Sequence, residues 1–212
     1  MNTSTSVYED LKSKIIKGNL AATSDLTETE LSANYKVSRN TVKKALLMLA
    51  GENLISMEPN KGAKVKSYSV EEVLDHLEVR ATLEGLLIRL IIDTISEEGI
   101  HILKETVEKM KMFQQEKKIV EYSEQNQIFH NTLYSFCPNQ TLVSVIQNLK
   151  THIKKYNMKT NLVPGRSQES IQEHVNILEA IVLKDYEKAE QAITNHILNV
   201  RKTFKENYNL LM

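Results

Sequence analysis

The sequence predicts a mainly α chain in two parts: a small helical head closed by a β-hairpin over residues 1–68, then an all-α six-helix bundle over residues 69–212. Three observations carry that prediction. Apolar residues recur at helical spacing in three short segments before residue 50. Clear alternation around a turn occurs between Leu54 and Ser67. From Val70 onward no stretch alternates like a strand, and turn residues cut the chain into helical lengths.

In the head, Val7, Leu11, Ile15 and Ile16 define the first helix, and Gly18-Asn19 stops it. The second opens at Thr27, which with Glu30 has the spacing of a capping box; Leu31 and Tyr35 share its inner face. Ser38 caps the third, which buries Val42, Ala45, Leu46 and Leu49. Two short helices joined by a tight turn form a helix-turn-helix. Leu54–Glu58 and Ala63–Ser67, around the turn Pro59-Asn60-Lys61-Gly62, add a β-hairpin wing.

A winged helix-turn-helix points to DNA. With Ser38 as cap, Arg39, Asn40 and Lys43 point away from the apolar stripe, and the first residues of a recognition helix reach base edges. Arginine bonds guanine and asparagine bonds adenine in a bidentate fashion. Lys43 and Lys44 suit phosphates, which give affinity without sequence information. Thr27 and Ser38, at the two helix starts, belong to the same face, and Lys61-Gly62 at the wing tip suit a minor groove. Alone, the third helix reads equally well as a capped surface helix; the wing favours DNA.

Net charge is zero, which argues against a bulk electrostatic nucleic-acid binder. Residues 1–68, however, carry three net positive charges, balanced by three net negative charges in the remainder. Cys137 is the only cysteine, so no intrachain disulfide forms and a reducing compartment is expected. The most apolar run, Leu83–Ile92, is broken by Arg89, and Met1–Ser6 lacks the parts of a secretory signal. The expectation is a cytoplasmic protein with no membrane partner.

The segments Leu26–Leu31, Val37–Leu46 and Asn60–Val65 together resemble the GntR family of bacterial regulators. The resemblance implies that Arg39 and Lys43 make the main DNA contacts, with Asn40 alongside and Gly62 at the wing tip. Thr29 stands where the family often has Arg, which implies one phosphate contact fewer. Lys44 stands where many members have Glu, which implies a shifted operator preference.

Six helices are expected in the body, at about 69–94, 97–116, 119–136, 140–161, 167–183 and 185–208. Leu83, Leu86, Leu87, Leu90 and Ile91 make the first strongly apolar, hence central or at an interface. Pro138-Asn139, Pro164-Gly165 and Lys184-Asp185 mark breaks, and the polar stretch Lys111–Val120 reads as a surface turn. Glu78–Glu84, Asn126–His130, Asn139–Leu142, Glu173–Ile181, Asp185–Ala189 and Asn195–Ile197 resemble the FCD ligand domain of the FadR subgroup. Six helices in place of seven put the chain nearer its VanR-like branch.

His130, His174 and His196 face inward by helical spacing. Spacing alone favours buried, hydrogen-bonded histidines, although neutral imidazoles sharing an interior also suit a divalent ion such as Zn²⁺ or Ni²⁺. The FCD resemblance implies that these three hold a metal, with a fourth ligand one turn before His130. The family has Asp there; this chain has Asn126, a neutral and weaker ligand. Arg80 is a candidate clamp for the carboxylate of a small organic acid, or else half of a surface pair with Glu84. Tyr134 and Asn195 are candidates to line the same cavity, while His76, His101 and His152 read as surface or structural.

These readings converge on a homodimeric, ligand-responsive regulator, acting as a repressor on a near-palindromic operator. Two alternatives stay open from the residues. A metal-dependent hydrolase would need a general base, and Glu173 points about 100° away from its neighbour His174. No nucleophile elbow, phosphate loop or His-Glu-x-x-His motif is present, and the chain is expected not to be an enzyme. The other alternative is an architectural DNA binder that senses nothing.

Overall fold

The chain begins with a reciprocal cap: the Thr3 hydroxyl accepts the Ser6 N–H and the Ser6 hydroxyl accepts the Thr3 N–H, which starts α1 (Ser4–Ile16). A computed structural model describes residues 3–58 and 62–211, and the chain divides into two compact units, Met1–Ser69 and Val70–Met212. In the first unit α1 is followed by β1 (Asp25–Leu26), α2 (Glu28–Tyr35), α3 (Arg39–Gly51), β2 (Ile55–Glu58) and β3 (Gly62–Val65). Val7 and Leu11 of α1, Leu31 of α2, and Val42, Leu46 and Leu49 of α3 meet Ile55 and Val65 of the sheet in one core. The α3 side chains lie on one stripe because their spacing follows the helical period.

The helix caps arise as the spacing predicts, with one difference. The Ser38 hydroxyl accepts from Thr41 N–H at 3.1 Å, and the Thr27 hydroxyl accepts from Glu30 N–H at 3.3 Å. At Thr27 only this half of the expected capping box forms among the described residues. The sharp bend between α2 and α3 is made by Lys36 in the left-handed region, φ 53°.

The wing is a three-stranded sheet of order β1-β3-β2, antiparallel throughout. The hairpin pairs Ile55 with Val65 and Glu58 with Gly62. Its third strand, β1, is absent from the sequence expectation because two residues carry no periodicity. It exists because Leu26 is buried against the core and its register sets Asp25 beside Lys64. Gly62 sits at φ 87°, and a Cβ there would meet the Leu26 carbonyl oxygen at 3.3 Å. The fold therefore requires glycine at this position whether or not the wing touches DNA.

The second unit consists of α4 (Val70–Ile91), α5 (Glu97–Gln115), α6 (Ile119–Ser135), α7 (Gln140–Thr160), α8 (Arg166–Val182) and α9 (Tyr186–Leu211). This is the expected all-helical body, and its breaks have identifiable causes. Asn139 caps α7 by accepting from Leu142 N–H, Gly165 adopts φ 83° before α8, and Lys184 adopts φ 53° before α9. The polar stretch Lys111–Val120 is not a turn throughout. The α5 helix continues to Gln115, and the reversal is confined to residues around Lys117, φ 57°, because Met110 is still buried and Phe113 packs beside it.

Leu87, Ile88, Ile91, Leu103, Phe129, Leu133, Ile146, Ile177 and Ile193 form the core of this unit. α4 and α9 approach closely at Gly85, where a Cβ would stand 2.9 Å from Thr194 Oγ1. On the opposite side of α4, Val79, Leu86 and Leu90 remain exposed at spacings of seven and four residues. Among the described residues no helix is long and apolar enough to cross a membrane.

Gly99 opens α5 under the Phe136 ring, and a Cβ there would meet the ring at 2.5 Å. Gly51, the last residue of α3, has open space around it. Gly99→Ala should destabilise the chain by about 1–3 kcal/mol, whereas Gly51→Ala should be neutral or stabilising by up to about 1 kcal/mol. Urea denaturation midpoints that fail to separate the two variants would contradict this packing.

Candidate functional site

In the first unit the sequence-predicted DNA face is a set of exposed side chains at the start of α3. Arg39, Asn40, Lys43 and Lys44 are all exposed, opposite the buried Val42–Leu49 stripe. Three of the unit's other lysines are paired with carboxylates: Lys12 with Glu52 and Lys14 with Asp10, both at 2.7 Å, and Lys64 lies 3.6 Å from Asp25. Among the described residues no carboxylate pairs with Arg39, Lys43 or Lys44. The start of α3 thus presents three exposed cations with no salt bridge among the described residues. Thr27 and Ser38 spend their hydroxyls on helix caps, so what they present at this face is the exposed backbone start of α2 and α3. Gly62 sits at the base of the wing tip; Lys61 lies outside the described residues.

In the second unit, α6, α8 and α9 bring His130, His174 and His196 together, all three buried. One ring nitrogen of each lies within 4.8 Å of the others. Burial holds His130 and His174 down at about 3, and His196 at about 4, so all three are neutral near pH 7. Each Nδ1 is already engaged. His130 Nδ1 donates to Glu84 at 3.2 Å, His174 Nδ1 to the Ser170 carbonyl at 2.6 Å, and His196 Nδ1 to Glu173 at 2.7 Å. These bonds fix the tautomer and leave each Nε2 as a lone-pair donor.

Two buried polar atoms near this cluster have no hydrogen-bond partner: His174 Nε2 and Asn126 Oδ1. Buried unpartnered acceptors are costly, and here both belong to the proposed ligand set. Three neutral imidazoles and an amide oxygen are a donor set that fits a borderline divalent ion.

The two carboxylates behind the histidines were not singled out in these roles by sequence reasoning. Arg80 and Glu84 do pair, but the pair is buried, not at the surface. Burial alone would raise the Glu84 pKa; Arg80 and His130 reverse this and hold it well below the usual carboxylate range. Glu173 is gripped by Arg166 at 2.7 and 3.2 Å and by Asn199 at 2.8 Å. Against its own desolvation, the bond from His196 and the nearby Arg166 hold Glu173 at about 2. It does point away from His174 along α8, yet α9 brings His196 directly onto it. The i,i+4 spacing of Arg80 and Glu84 was the only local signal; Arg166 and Glu173 are seven residues apart and gave none.

A cavity of about 360 Å³ opens from this cluster. His130 and His196 lie at its buried end, together with Arg80, Arg166 and Ser170, while Asn131, Gln147 and Lys154 are exposed. Two expected lining residues are elsewhere. Tyr134 is buried behind Glu84, donating to its carboxylate at 2.8 Å and accepting from Lys150 at 3.2 Å. Asn195 is exposed and accepts from Gln191 at 2.7 Å, because one position before His196 turns it about 100° around α9. Lys150 was missed entirely: it lies over the Tyr134 ring at 4.6 Å and lines the cavity, and burial with Arg80 nearby lowers its pKa to about 7. Of the remaining histidines, His76 and His152 stack edge to face at 5.6 Å, and His101 is exposed beside Glu105.

The buried imidazoles make stability depend on pH. Unfolded histidine protonates near 6.5, whereas the folded cluster stays neutral down to about 3–4. Below pH 6.5 the unfolded state therefore binds more protons, and stability falls as pH falls. The carboxylates contribute in the same direction only below about 4.5, and Lys150, at about 7, only above about pH 6, so pH 6 to 5 isolates the histidines. The melting temperature of metal-free protein should drop steadily across that interval, and less steeply in His174→Gln. A flat profile would mean that the cluster is not held neutral and buried.

Comparison with known proteins places both units. The family model "Bacterial regulatory proteins, gntR family" matches residues 3–65, and the FCD domain model matches residues 75–199. An uncharacterized HTH-type transcriptional regulator of Bacillus subtilis (strain 168), YdhC, is 26% identical over 190 residues, covering 89% of this chain and 85% of that protein. The HTH-type transcriptional repressor RspR of Escherichia coli (strain K12) is 23% identical over 200 residues, covering 94% and 88%. The solved structure of E. coli McbR/YncC shares the fold with a TM-score of 0.77 at 20% identity, covering 97% of this chain and 99% of that one. With a gntR-type head followed by a matched helical body that spans more than half its length, the chain belongs to the FCD-domain regulators of the gntR family.

Proposed function

We propose that this protein is a cytoplasmic, ligand-responsive transcriptional repressor that reads DNA through α3 and senses a small organic acid in the helical unit. The observation that carries the proposal is the pairing of an exposed cationic recognition helix with a polar, cation-lined cavity, buried at its inner end, in the same chain. Arg39 and Asn40 supply base contacts, and Lys43 and Lys44 supply phosphate contacts, with Lys61 and Gly62 serving the wing. The relatives' names, transcriptional regulator and transcriptional repressor, support this reading.

A homodimer follows from the operator chemistry and from α4. One head offers few base contacts, and two heads on a near-palindrome multiply them. The exposed Val79, Leu86 and Leu90 form an apolar stripe suited to an isologous contact between two copies of α4. In the helical unit, His130, His174, His196 and the Asn126 oxygen would hold a Zn²⁺ or Ni²⁺ ion, which would supply a Lewis-acidic anchor for a carboxylate. Glu84 and Glu173 orient His130 and His196, and Arg80 fixes Glu84. A hydrolase reading fares poorly, since Glu173 is occupied by Arg166, His196 and Asn199 and is not placed as a base.

Two outcomes are expected. Selection from random duplex DNA should enrich a near-palindromic site that wild-type protein retains at moderate salt, and Arg39→Ala should lower affinity for that site by at least about tenfold. Enrichment of no sequence, with binding that vanishes at moderate salt, would contradict the reading. Metal analysis of zinc-loaded protein should give about one ion per chain, with none in His174→Ala and an affinity about 10–100-fold weaker in Glu173→Gln. An unloaded wild-type protein would remove the metal from the proposal.

A further inference from the structure

The cavity's charge is out of balance. Arg80, Arg166, Lys150 and Lys154 line it, and no carboxylate does among the described residues. Behind the wall, Glu84 answers Arg80 and Glu173 answers Arg166. Lys150 and Lys154 form no salt bridge among the described residues, although Glu84 acts on Lys150 electrostatically from behind the wall. Lys150 donates to the Tyr134 hydroxyl at 3.2 Å, a bond that uses one of its three N–H groups. The four cationic side chains thus outnumber the two carboxylates behind the wall by two, and the two lysines stand a helical turn apart on α7.

At the histidine end the balance leans the same way. Asn126 contributes an oxygen but no charge, so a divalent ion held by Asn126, His130, His174 and His196 would keep both its positive charges. A ligand with a single negative charge answers one end of the cavity and leaves the other unanswered. Between the ends the wall is polar but neutral: five side-chain amides and four hydroxyls face the space, against one apolar side chain, Val200, among the described residues. Such a lining rewards hydroxyls and penalises a bare hydrocarbon chain, because hydrocarbon laid over an amide or hydroxyl displaces its water without replacing the hydrogen bond. A volume of about 360 Å³ is at the small end of the range for ligand sites, which limits the occupant to a small metabolite.

We propose that the effector is a small hydroxylated acid with two anionic groups, one seated at the histidine end and the other held by Lys150 and Lys154. This rests on the reading of the cavity as the effector site and names the chemical class that site selects. The second anionic group is a carboxylate or a phosphate, whose shared chemistry is two negative charges separated by a hydroxylated chain. Lys150, the more buried of the two lysines, contributes more, because a charge pair shielded from water is screened less.

The test is isothermal titration calorimetry on the zinc-loaded full-length protein, with matched monoanions and dianions. Lactate is compared with malate, and gluconate with glucarate and with 6-phosphogluconate. At least one dianion should bind about tenfold or more tightly than its monoanionic partner, and glucarate against 6-phosphogluconate identifies which second group is preferred. Lys150→Gln, or Lys150→Gln with Lys154→Gln, should collapse that ratio to within about threefold. Retained zinc content and an unchanged melting temperature show that the cavity is intact in these variants. Equal affinities within every pair, or a ratio that survives in the double variant, overturn the dianion assignment and leave the effector site standing. Failure of all five acids to bind zinc-loaded protein removes both.

Discussion

Two carboxylates, Glu84 and Glu173, are built into the helical unit away from bulk water, and the arrangement of the site follows from how each is kept charged. Each is bonded to an arginine on one side and to an imidazole Nδ1 on the other. Removing either arginine would leave a buried charge unanswered, a far larger loss than the net worth of the pair. The same bonds decide which nitrogen of each histidine is available, since Nδ1 is spent on the carboxylate and Nε2 is not. His174 reaches the same state by a different route, through the Ser170 carbonyl of its own helix. Three helices thus present three lone pairs to one point, although the three side chains are oriented by three different acceptors.

A buried ion pair is a weak way to gain stability, because apolar residues of similar size would do as well or better. The helical unit has ample apolar core in Leu87, Ile88, Phe129, Ile146 and Ile177, and does not need polar groups to hold together. What the pairs provide is orientation. Their carboxylates stand behind the cavity wall, and the two buried acceptors without a hydrogen-bond partner, His174 Nε2 and Asn126 Oδ1, lie at the same end of the site.

Much of this was legible in the sequence, for reasons that differ by element. The caps at Thr27 and Ser38 and the stripe Val42–Leu49 are local: each depends on residues within a turn or two, so spacing alone locates them. The three inward histidines were legible because helical periodicity tells which face is buried. The strand β1 was not, since two residues have no period and pair only because β3 arrives beside them. Asn195 is turned outward by its place one position before His196, whereas Tyr134 lies off the cavity for a related reason. Periodicity says that a side chain points inward, but not whether it meets a cavity or, like Tyr134, a neighbouring carboxylate. Arg166, Glu173 and Lys150 come together with the site only through packing between helices, and no window of sequence contains that information.

The first residue of α4 directly follows the last residue of the DNA-binding unit. One side of α4 carries Arg80 and Glu84, and through them the orientation of His130. The other side carries the exposed Val79, Leu86 and Leu90. A ligand in the cavity therefore acts on a helix that is at once part of its own binding wall and the covalent continuation of the recognition unit. No long relay of side chains is required for coupling on this arrangement. Binding need only favour one placement of α4 over another, and it can shift that balance by no more than its difference in affinity for the two. A charge-assisted contact at the cavity wall is the kind of interaction large enough to make that difference, because its geometry is lost when the wall moves by an ångström or two.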